Sequence, residues 1–293
     1  MSTHSIPFEK YHGTGNDFIV VDAADPVPNR PAFATAYCDR ETGVSDPSAE
    51  SDAPAVGADG VLFLALESTY DPPRVVMTLV QPDGSVAPMC GNGARCAAAW
   101  ARDRTDADVV MIDTPAGTRR TVLDGDEVTV EMGVPSFEPR DVPHSREEPM
   151  VQESIEGLTV TAVNTGVPHA VAVVDSVAEL EGIDIETVAP PIRHAEAFPR
   201  GTNVTLAARD EEGFRQRTFE RGVEGETRSC GTGAVAVVAV AKRLGLVGDE
   251  EVRVSPPGGD LCIRVPDRGE ATLRGPVERE FAGELDVVPT PSP

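Results

Sequence analysis

Residues 89–101 read MCGNGARCAAAWA, and residues 229–241 read SCGTGAVAVVAVA. Each segment has a cysteine, a glycine, a polar residue, a second glycine and an alanine, followed by a run of small apolar residues. A Gly-rich turn ahead of such a run is typical of the beginning of a helix. A helix that is apolar on nearly every face is a buried helix. Because the pattern occurs twice, it predicts two copies of one structural unit.

The similarity extends on both sides of the two segments. It includes two turns, two strand-like segments and two stretches ahead of the cysteines: TPAG (114–117) and SPPGG (255–259), VTVEM (128–132) and LCIRV (261–265), GNDFIVVD (15–22) and GVPHAVAVVD (166–175). Further β-branched segments are bounded by Gly, Pro and Asp, as strands often are: FIVVD (18–22), VLFLAL (61–66) and RVVMTLV (74–80). The sequence therefore predicts an α/β (α+β) fold of two pseudo-symmetric halves. Each half is expected to wrap strands around a central helix, which in the second half ends at KRLG (242–245).

The predicted halves are residues 1–133, containing Cys90, and residues 134–274, containing Cys230. Residues from about 275 to 293 are expected to complete the first half. The polar, acidic stretch 42–55 is interpreted as a surface loop, and the tail 287–293 as disordered.

Composition restricts the functional classes. The chain has 293 residues, 40% of them hydrophobic, and a formal net charge of −24. A charge of this sign opposes nucleic-acid binding. No apolar run approaches a membrane span, and the first residues lack the regions of a secretory signal, so we expect a cytoplasmic protein without a membrane partner. Scattered acidic residues and only two lysines, Lys10 and Lys242, suggest a halophilic protein that works in high salt.

The five cysteines are Cys38, Cys90, Cys96, Cys230 and Cys262. Their number is odd and none forms a CxxC pair, so neither a disulfide framework nor a structural metal site is expected. Cys90 and Cys230 are predicted to stand at helix starts, where unpaired N–H groups and the helix dipole favour a thiolate. The glycines that follow allow a ligand close to the backbone, and a carboxylate suits such a site.

Two thiols in equivalent positions suggest inversion of a stereocentre. One group removes a proton from one face of a carbon while the other delivers a proton to the opposite face. Amino-acid racemases commonly use pyridoxal phosphate, which needs a lysine Schiff base. Neither Lys10, in the first strand region, nor Lys242, at the end of an apolar helix, suits that role. We therefore expect no cofactor and no metal, with backbone N–H groups stabilising the substrate carboxylate in a dry cleft between the halves.

The chain resembles the diaminopimelate epimerase family over nearly its whole length. The resemblance is carried by HGTGNDFIVVD, VGADGVLFL, PDGSVAPMCGNGARC, DTPAG, VNTGVPHAVAVV, FPRGTNV, FERGVEGETRSCGTGA and LRGP. It implies two similar α/β halves, each a β-barrel-like sheet wrapped around a central helix. It also implies the interconversion of LL- and meso-diaminopimelate without a cofactor, a reaction of lysine biosynthesis. It also allows a homodimer.

The resemblance implies roles for individual residues. Cys90 and Cys230 would be the acid/base thiols. His169 and Glu220 resemble residues that tune the pKa values of the thiols. The side chains or backbone N–H groups that would bind substrate are those of Asn16, Gln81, Gly91, Asn92, Asn203, Glu220, Arg221, Gly231 and Thr232.

The chain departs from the family pattern in the predicted distal pocket. Gln81 stands where an Asn is common, Val167 replaces the Asn of GNPH, and Gly60 replaces a Gln. Nearby Asn164 is a candidate to take the role of the missing Asn. Three alternatives stay open: a proline racemase or hydroxyproline epimerase, a racemase of another diamino or basic amino acid, and a non-catalytic amino-acid-binding or structural protein. Asn92 counts against the first, because those enzymes typically carry His there, and the two cysteines count against the last.

Overall fold

A computed structural model describes residues 5–46 and 56–287. The chain divides into two compact units, residues 1–128 with 276–293 and residues 129–275. The sequence analysis placed the boundaries at 133 and 274. Most of the predicted loop 42–55 and nearly all of the tail 287–293 lie outside the described residues.

The first unit consists of eight strands and two helices within the described residues. They are β1 (Ser5–Gly13), β2 (Asn16–Asp22), α1 (Arg30–Tyr37), β3 (Gly60–Glu67), β4 (Arg74–Val80), β5 (Val86–Ala87), α2 (Gly91–Thr105), β6 (Val109–Thr114), β7 (Gly117–Asp124) and β18 (Glu278–Asp286).

The second unit begins within β8. Its elements are β8 (Glu127–Gly133), β9 (Glu153–Ile155), β10 (Leu158–Asn164), β11 (Pro168–Val174), α3 (Val177–Gly182), α4 (Ile185–Arg193), β12 (Asn203–Arg209), β13 (Gly213–Glu220), β14 (Gly225–Thr227), α5 (Gly231–Arg243), β15 (Val252–Ser255), β16 (Leu261–Arg264) and β17 (Ala271–Pro276).

The two units pair their strands in the same order and sense. In the first unit β2 is parallel to β3, β3 antiparallel to β4, and β4 parallel to β6, which forms a hairpin with β7. In the second unit β11 is parallel to β12, β12 antiparallel to β13, and β13 parallel to β15, which forms a hairpin with β16. The internal repeat predicted from the sequence is therefore confirmed. The hairpins also show that β7 corresponds to β16, the strand that contains most of LCIRV. The sequence analysis matched LCIRV with VTVEM, but VTVEM lies in β8, one strand after β7.

The shared topology gives residue-by-residue equivalences. Phe18 lies opposite Gly60, as His169 lies opposite Asn203. Leu62 lies opposite Leu79, as Thr205 lies opposite Thr218. Since Leu79 of β4 is equivalent to Thr218 of β13, the residue two positions earlier, Met77, is equivalent to Gln216. The residue two positions later, Gln81, is equivalent to Glu220.

Each sheet curls around its central helix. Helix α2 contacts β1 to β4, β6 and β7, and α5 contacts β10 to β13, β15 and β16. Residues 91–101 of α2 and 231–241 of α5 are all buried. The prediction of two buried central helices is confirmed, and α5 ends as expected, with Gly245 at a φ of 74°.

Each unit also has a second apolar layer on the outer side of the sheet. In the first unit Phe33 of α1 packs with Ile19 and Phe63. In the second, Leu180 of α3 and Ile192 of α4 pack against β11 and β12. Within residues 5–46 and 56–287, no helix combines the length and apolar character that a membrane span requires.

Candidate active site

Cys90 and Cys230 are the residues that immediately precede the two central helices. Both have extended backbone conformations, and the backbone carbonyl of each accepts the first helical hydrogen bond, at 2.9 Å. All five cysteines lie within the described residues and have reduced thiols. Complete burial raises the pKa of the Cys96 thiol to about 12, which keeps this thiol protonated. The helix-start position predicted for Cys90 and Cys230 is therefore present in both units.

Two asparagines lie beside Cys90. The Cys90 sulfur accepts a hydrogen bond from the backbone N–H of Gly93, at 3.3 Å, and its thiol lies 3.8 Å from Oδ1 of Asn16. The same oxygen accepts a bond from Nδ2 of Asn92, at 3.3 Å. The structure thus brings together three predicted site residues, Cys90, Asn16 and Asn92.

A fully buried arginine orients Asn92 from within the helix. Nη2 of Arg95 donates to Oδ1 of Asn92 at 2.7 Å and to the hydroxyl of Thr14 at 2.6 Å, and Nη1 donates to the carbonyl of Pro276. Burial lowers the pKa of Arg95 to about 10. The bond to Asn92 holds the amide that donates to Asn16 beside Cys90, so Arg95 is part of the site although the sequence analysis did not select it. A lone cation among the small and apolar residues 93–101 was the available signal.

A cluster of charged side chains orients Asn16. Asn16 and the backbone N–H of Asp17 both donate to Oδ2 of Asp59. Arg40 donates to both carboxylates, and Lys10 pairs with Asp17. Burial works against ionisation, but the Arg40 and Lys10 charges hold the pKa of Asp17 at about 2. Asp59 has a raised pKa because of its burial and the neighbouring Asp17 charge. This network extends from the surface guanidinium of Arg40 to the amide beside Cys90.

Cys230 has a different set of neighbours. Its sulfur lies 3.4 Å from the hydroxyl of Thr232, and that hydroxyl lies 3.1 Å from Nε2 of His169. The histidine is completely buried. Burial and, to a smaller extent, the charge of Arg221 lower the pKa of His169 to about 3. The ring is therefore neutral at physiological pH.

The hydrogen-bonded chain continues behind the ring. Nδ1 of His169 lies 3.0 Å from the hydroxyl of Thr205, which lies 3.2 Å from that of Thr218. Nε2 of Gln216 donates to the Thr218 hydroxyl at 2.9 Å and to the carbonyl of Cys230 at 3.1 Å. The chain thus returns to the helix start. A Cβ atom at Gly233 would lie 2.6 Å from Nε2 of Gln216, so any other residue there would have to displace this hydrogen-bonded amide.

The equivalent positions of the first unit are apolar. In place of His169, Thr205, Thr218 and Gln216 the first unit has Phe18, Leu62, Leu79 and Met77, all buried. The central helices begin in the same way, but hydrogen-bonded polar side chains lie beneath α5 and apolar side chains lie beneath α2. Aligning the two halves of the sequence at these strands would have exposed the difference.

Asn203, Arg221 and Glu220 surround the same part of the second unit. Nδ2 of Asn203 lies 3.4 Å from Nε2 of His169, and its Oδ1 accepts the backbone N–H of Arg221 at 2.7 Å. The half-buried guanidinium of Arg221 donates to the carbonyl of Arg200 at 3.2 Å. Glu220 accepts a bond from the Thr227 hydroxyl at 2.6 Å. These predicted residues therefore lie together at the ends of β12 and β13.

Two side chains near the sequence departures stabilise turns. Oε1 of Gln81 accepts a bond from the Ser85 hydroxyl at 3.0 Å. Nδ2 of Asn164 donates to the carbonyl of Asp141 at 2.6 Å, and its Oδ1 accepts the N–H of Gly166 at 2.8 Å. Both ends of the Asn164 amide are thus engaged by backbone groups.

A glutamine at position 60, as in the family, would have to displace the side chain of Leu79. A Cβ atom there would lie 2.6 Å from Cδ1 of Leu79 and 3.1 Å from the carbonyl of Val80. The side chain of Leu79 occupies the space that a longer residue at position 60 would need.

No group of three or more His, Cys, Asp or Glu side chains is placed to hold a metal ion in residues 5–46 and 56–287. The two lysines are both engaged in ion pairs. Lys10 pairs with Asp17 and Glu280, and Lys242 with Asp249 and Asp267.

The fold is one that solved structures of epimerases and racemases share. A hydroxyproline epimerase from Agrobacterium vitis superimposes with a TM-score of 0.63 at 18% identity, over 97% of this chain and 92% of that one. A protein from Pseudomonas aeruginosa described as a predicted epimerase superimposes with a TM-score of 0.67 at 15% identity, over 96% and 99% of the two chains. At these identities the likeness shows the fold.

The chain belongs to the diaminopimelate epimerase family, whose model matches residues 8–138 and 161–280. The diaminopimelate epimerase of Methanocella arvoryzae is 43% identical over 96% of this chain and 97% of its own length. That of Xanthomonas axonopodis pv. citri is 39% identical over 94% and 95%. The resemblance identified from the sequence motifs is confirmed, and the protein is an isomerase by family.

Proposed function

We propose that the protein epimerises LL-2,6-diaminopimelate to meso-diaminopimelate without a cofactor, as a step of lysine biosynthesis. The observation that carries the proposal is the matched placement of Cys90 and Cys230 at two buried helix starts. It occurs in a chain 43% identical to a diaminopimelate epimerase along almost its entire length.

In the proposed reaction, one cysteine thiolate removes the α-proton and the other cysteine, as a thiol, delivers a proton to the opposite face. The roles of the two cysteines exchange in the reverse direction, so the thiol and thiolate forms alternate and no proton is gained or lost overall. The mechanism requires that the substrate α-carbon lie within reach of both sulfurs.

Backbone groups are proposed to stabilise the charge that develops during proton removal. The N–H groups of the first residues of a helix have no intrahelical acceptor, and the helix dipole favours a negative charge there. Gly91, Asn92, Gly231 and Thr232 are the residues that supply these groups in α2 and α5. Held in place before the reaction, such donors act in the manner of an oxyanion hole.

The far end of the substrate is proposed to bind polar side chains near the ends of the strands. Asn16, Asn92 and Asn203 are buried amides that could pair with ammonium and carboxylate groups. The guanidinium of Arg221 suits a carboxylate, and Glu220 suits an ammonium group. Gln81 forms part of a turn, so its side chain is a weaker candidate for binding the far end of the substrate.

A racemase of another diamino or basic amino acid is the second candidate. It is favoured by the distal departures, in particular by Leu79 filling the space beside Gly60. Proline-type substrates are less favoured because Asn92 is fixed by Arg95 at the position where those enzymes carry His.

A coupled assay of the purified protein with LL-diaminopimelate, without added cofactor and after metal chelation, tests the proposal. Formation of the meso isomer supports it. α-Proton exchange in deuterated water with lysine, ornithine, proline and hydroxyproline tests the alternatives. Exchange with one of these and none with diaminopimelate would reassign the substrate, and no exchange with any of them would favour a non-catalytic protein.

The setting of the enzyme is also a proposal. We propose a cytoplasmic enzyme, active as a homodimer, whose acidic surface is adapted to high salt, since salt screens the repulsion of a net charge of −24. Activity measured from low to molar salt tests the adaptation to salt, and light scattering tests the homodimer.

A further inference from the structure

The hydroxyl of Thr232 lies between two groups that compete for its proton. It is 3.4 Å from the sulfur of Cys230 and 3.1 Å from Nε2 of His169. A hydroxyl has one hydrogen to donate and can rotate to place it. Which of the two neighbours receives that hydrogen depends on the protonation state of each.

The surroundings of His169 determine where its ring proton lies. Nδ2 of Asn203, which can only donate, is 3.4 Å from Nε2 of His169. The orientation of this amide is fixed, because its oxygen accepts the N–H of Arg221 at 2.7 Å. Nε2 is therefore an acceptor, and the proton of the neutral ring lies on Nδ1. From there it is donated to the Thr205 hydroxyl, 3.0 Å away.

We infer that the Thr232 hydroxyl is a two-position donor that adapts to the state of Cys230. When Cys230 is a thiol, its S–H donates to Thr232 and the Thr232 hydroxyl donates to Nε2 of His169. When Cys230 is a thiolate, the hydroxyl turns to the sulfur and Asn203 alone donates to Nε2. In neither state is a polar atom of this group left without a partner, and no proton moves along the chain. Thr232 and Thr205 are therefore positioning residues, the second because it fixes the ring tautomer.

The first unit has no equivalent of this switch among its described residues. Asn92 stands where Thr232 stands in the second unit, but Arg95 binds its oxygen and Asn16 accepts from its nitrogen. The backbone amide of Gly93, which cannot rotate, donates to the Cys90 sulfur. The switch is thus a property of Cys230.

The use of this switch in catalysis rests on the proposed function, because a two-thiol epimerase needs Cys230 as an acid in one direction and as a base in the other. The switch itself can be measured without substrate. The ultraviolet absorbance of thiolates reports Cys230 ionisation, with Cys230→Ala as the blank, and reaches a thiol that is only 4% exposed.

Thr232→Val keeps the backbone N–H and removes the hydroxyl. A hydrogen bond to a charged group contributes about 1.5 kcal/mol or more, which corresponds to a shift of about one pH unit. We expect the pH midpoint of Cys230 ionisation to rise by about that amount in Thr232→Val and to return in Thr232→Ser.

Thr205→Val should shift the midpoint in the opposite direction. Without the acceptor at Thr205 the Nδ1–H has no partner, so the ring proton moves to Nε2 and displaces the Asn203 donor. It then donates to Thr232 and turns the Thr232 hydroxyl toward the sulfur, which favours the thiolate. Thr205→Ser should behave like the parent protein. Thr161→Val is the matched control, because the buried Thr161 hydroxyl only accepts the N–H of Gln152, at 3.0 Å, and it should leave the midpoint unchanged.

Nitrogen NMR of ¹⁵N-histidine-labelled protein, with His169→Asn for assignment, should show the Nδ1–H tautomer in the parent and the Nε2–H tautomer in Thr205→Val. An Nε2–H ring in the parent, or shifts of the same sign in the two valine variants, would overturn the inference. If the tautomer and the opposite shifts are found in a protein that does not act on diaminopimelate, the switch stands and the proposed function fails.

Discussion

Thr205 and Thr218 face each other across β12 and β13 with their hydroxyl oxygens 3.2 Å apart, at the register where the first unit has Leu62 opposite Leu79. This pair supports His169, which in turn contacts the residue beside Cys230. The two helix starts are therefore alike in sequence, but the side chains packed beneath them are polar in the second unit and apolar in the first. The predictions below use this difference and the equivalence of the two units.

Cys90→Ala and Cys230→Ala should each abolish epimerisation while the fold persists. Each removes a proposed acid/base group and little core volume. Cys96→Ala, in the completely buried part of α2, should stay active and lose on the order of 1 kcal/mol of stability. Activity assays and urea unfolding measure both effects. An active Cys90→Ala protein together with an inactive Cys96→Ala protein would show that the wrong cysteine has been assigned.

The proton delivered to the product should come from solvent. The delivering thiol exchanges its hydrogen with deuterated water before the substrate arrives, whereas the removed proton stays on the other thiol. At low conversion the inverted product should therefore carry deuterium at the α-carbon, and recovered substrate should stay mostly unlabelled. Mass spectrometry of the separated stereoisomers measures this. Substantial protium in the product would instead indicate a single base that serves both faces.

Acid should destabilise the fold through His169. The pKa of His169 is about 3 in the folded protein, against an ordinary value of 6.5. Below pH 6.5 the unfolded chain binds a proton that the folded protein does not, so stability falls as the pH falls from 6.5 toward 3. Between pH 7 and pH 5 this contributes a loss of about 2 kcal/mol.

Urea unfolding at the two pH values tests this effect in matched variants. His169→Asn should lose about 2 kcal/mol of the pH dependence, even if it is less stable at pH 7. His194→Asn, at an exposed histidine, should retain the full dependence. An unchanged slope in His169→Asn would show that His169 accepts a proton in the folded state.

Gly233→Ala should be far more damaging than Gly93→Ala, although the two glycines are equivalent. A Cβ at Gly233 would lie 2.6 Å from Nε2 of Gln216 and 3.1 Å from the Thr218 hydroxyl. At Gly93 the nearest atom is Cδ2 of Leu62, at 3.3 Å, which can shift slightly. Because alanine favours a helix by roughly 1 kcal/mol over glycine, Gly93→Ala should be close to neutral in thermal unfolding. Equal losses in the two variants would argue against the rigid polar chain.

Arg95→Met should destabilise the protein by about 3 kcal/mol, because the buried oxygens of Asn92 and Thr14 and the partly exposed carbonyl of Pro276 lose their donor. We also expect a fall in turnover, since Asn92 loses its fixed orientation. Arg102→Met is the control on the same helix. Arg102 donates to the carbonyl of Gly125 near the surface, and its loss should change stability by no more than about 0.5 kcal/mol. A fully active Arg95→Met protein would remove Arg95 from the site.

The sequence carried the information that located the site, because helix starts and internal repeats are local patterns. Cys90 and Cys230, the glycines after them and the Gly245 helix end are all visible as short motifs. The environment of each cysteine was not visible, because it depends on which strand residues face the helix. Thr205, Thr218 and Gln216 belong to ordinary strand sequences, and only the register of β12 with β13 brings them together.

Distant pairings explain the other omissions. Arg40 and Asp59 orient Asn16 from positions more than 20 residues away in the chain, and no spacing rule links them. The role of Asn164 could not be judged before its partner Asp141 was known. The sequence shows that Gly60 replaces the family's glutamine, but it does not show that the side chain of Leu79 fills the space beside Gly60.

The residue-by-residue match of the two units implies a gene duplication followed by unequal divergence. A single ancestral copy would have given both thiols the same neighbours, so neither could specialise. Once two copies were encoded in one chain, one could retain hydrocarbon beneath its helix while the other acquired a histidine and hydroxyl groups, or the reverse. Such a chain can evolve the proton affinity of one sulfur independently of the other, which an assembly of identical subunits cannot do.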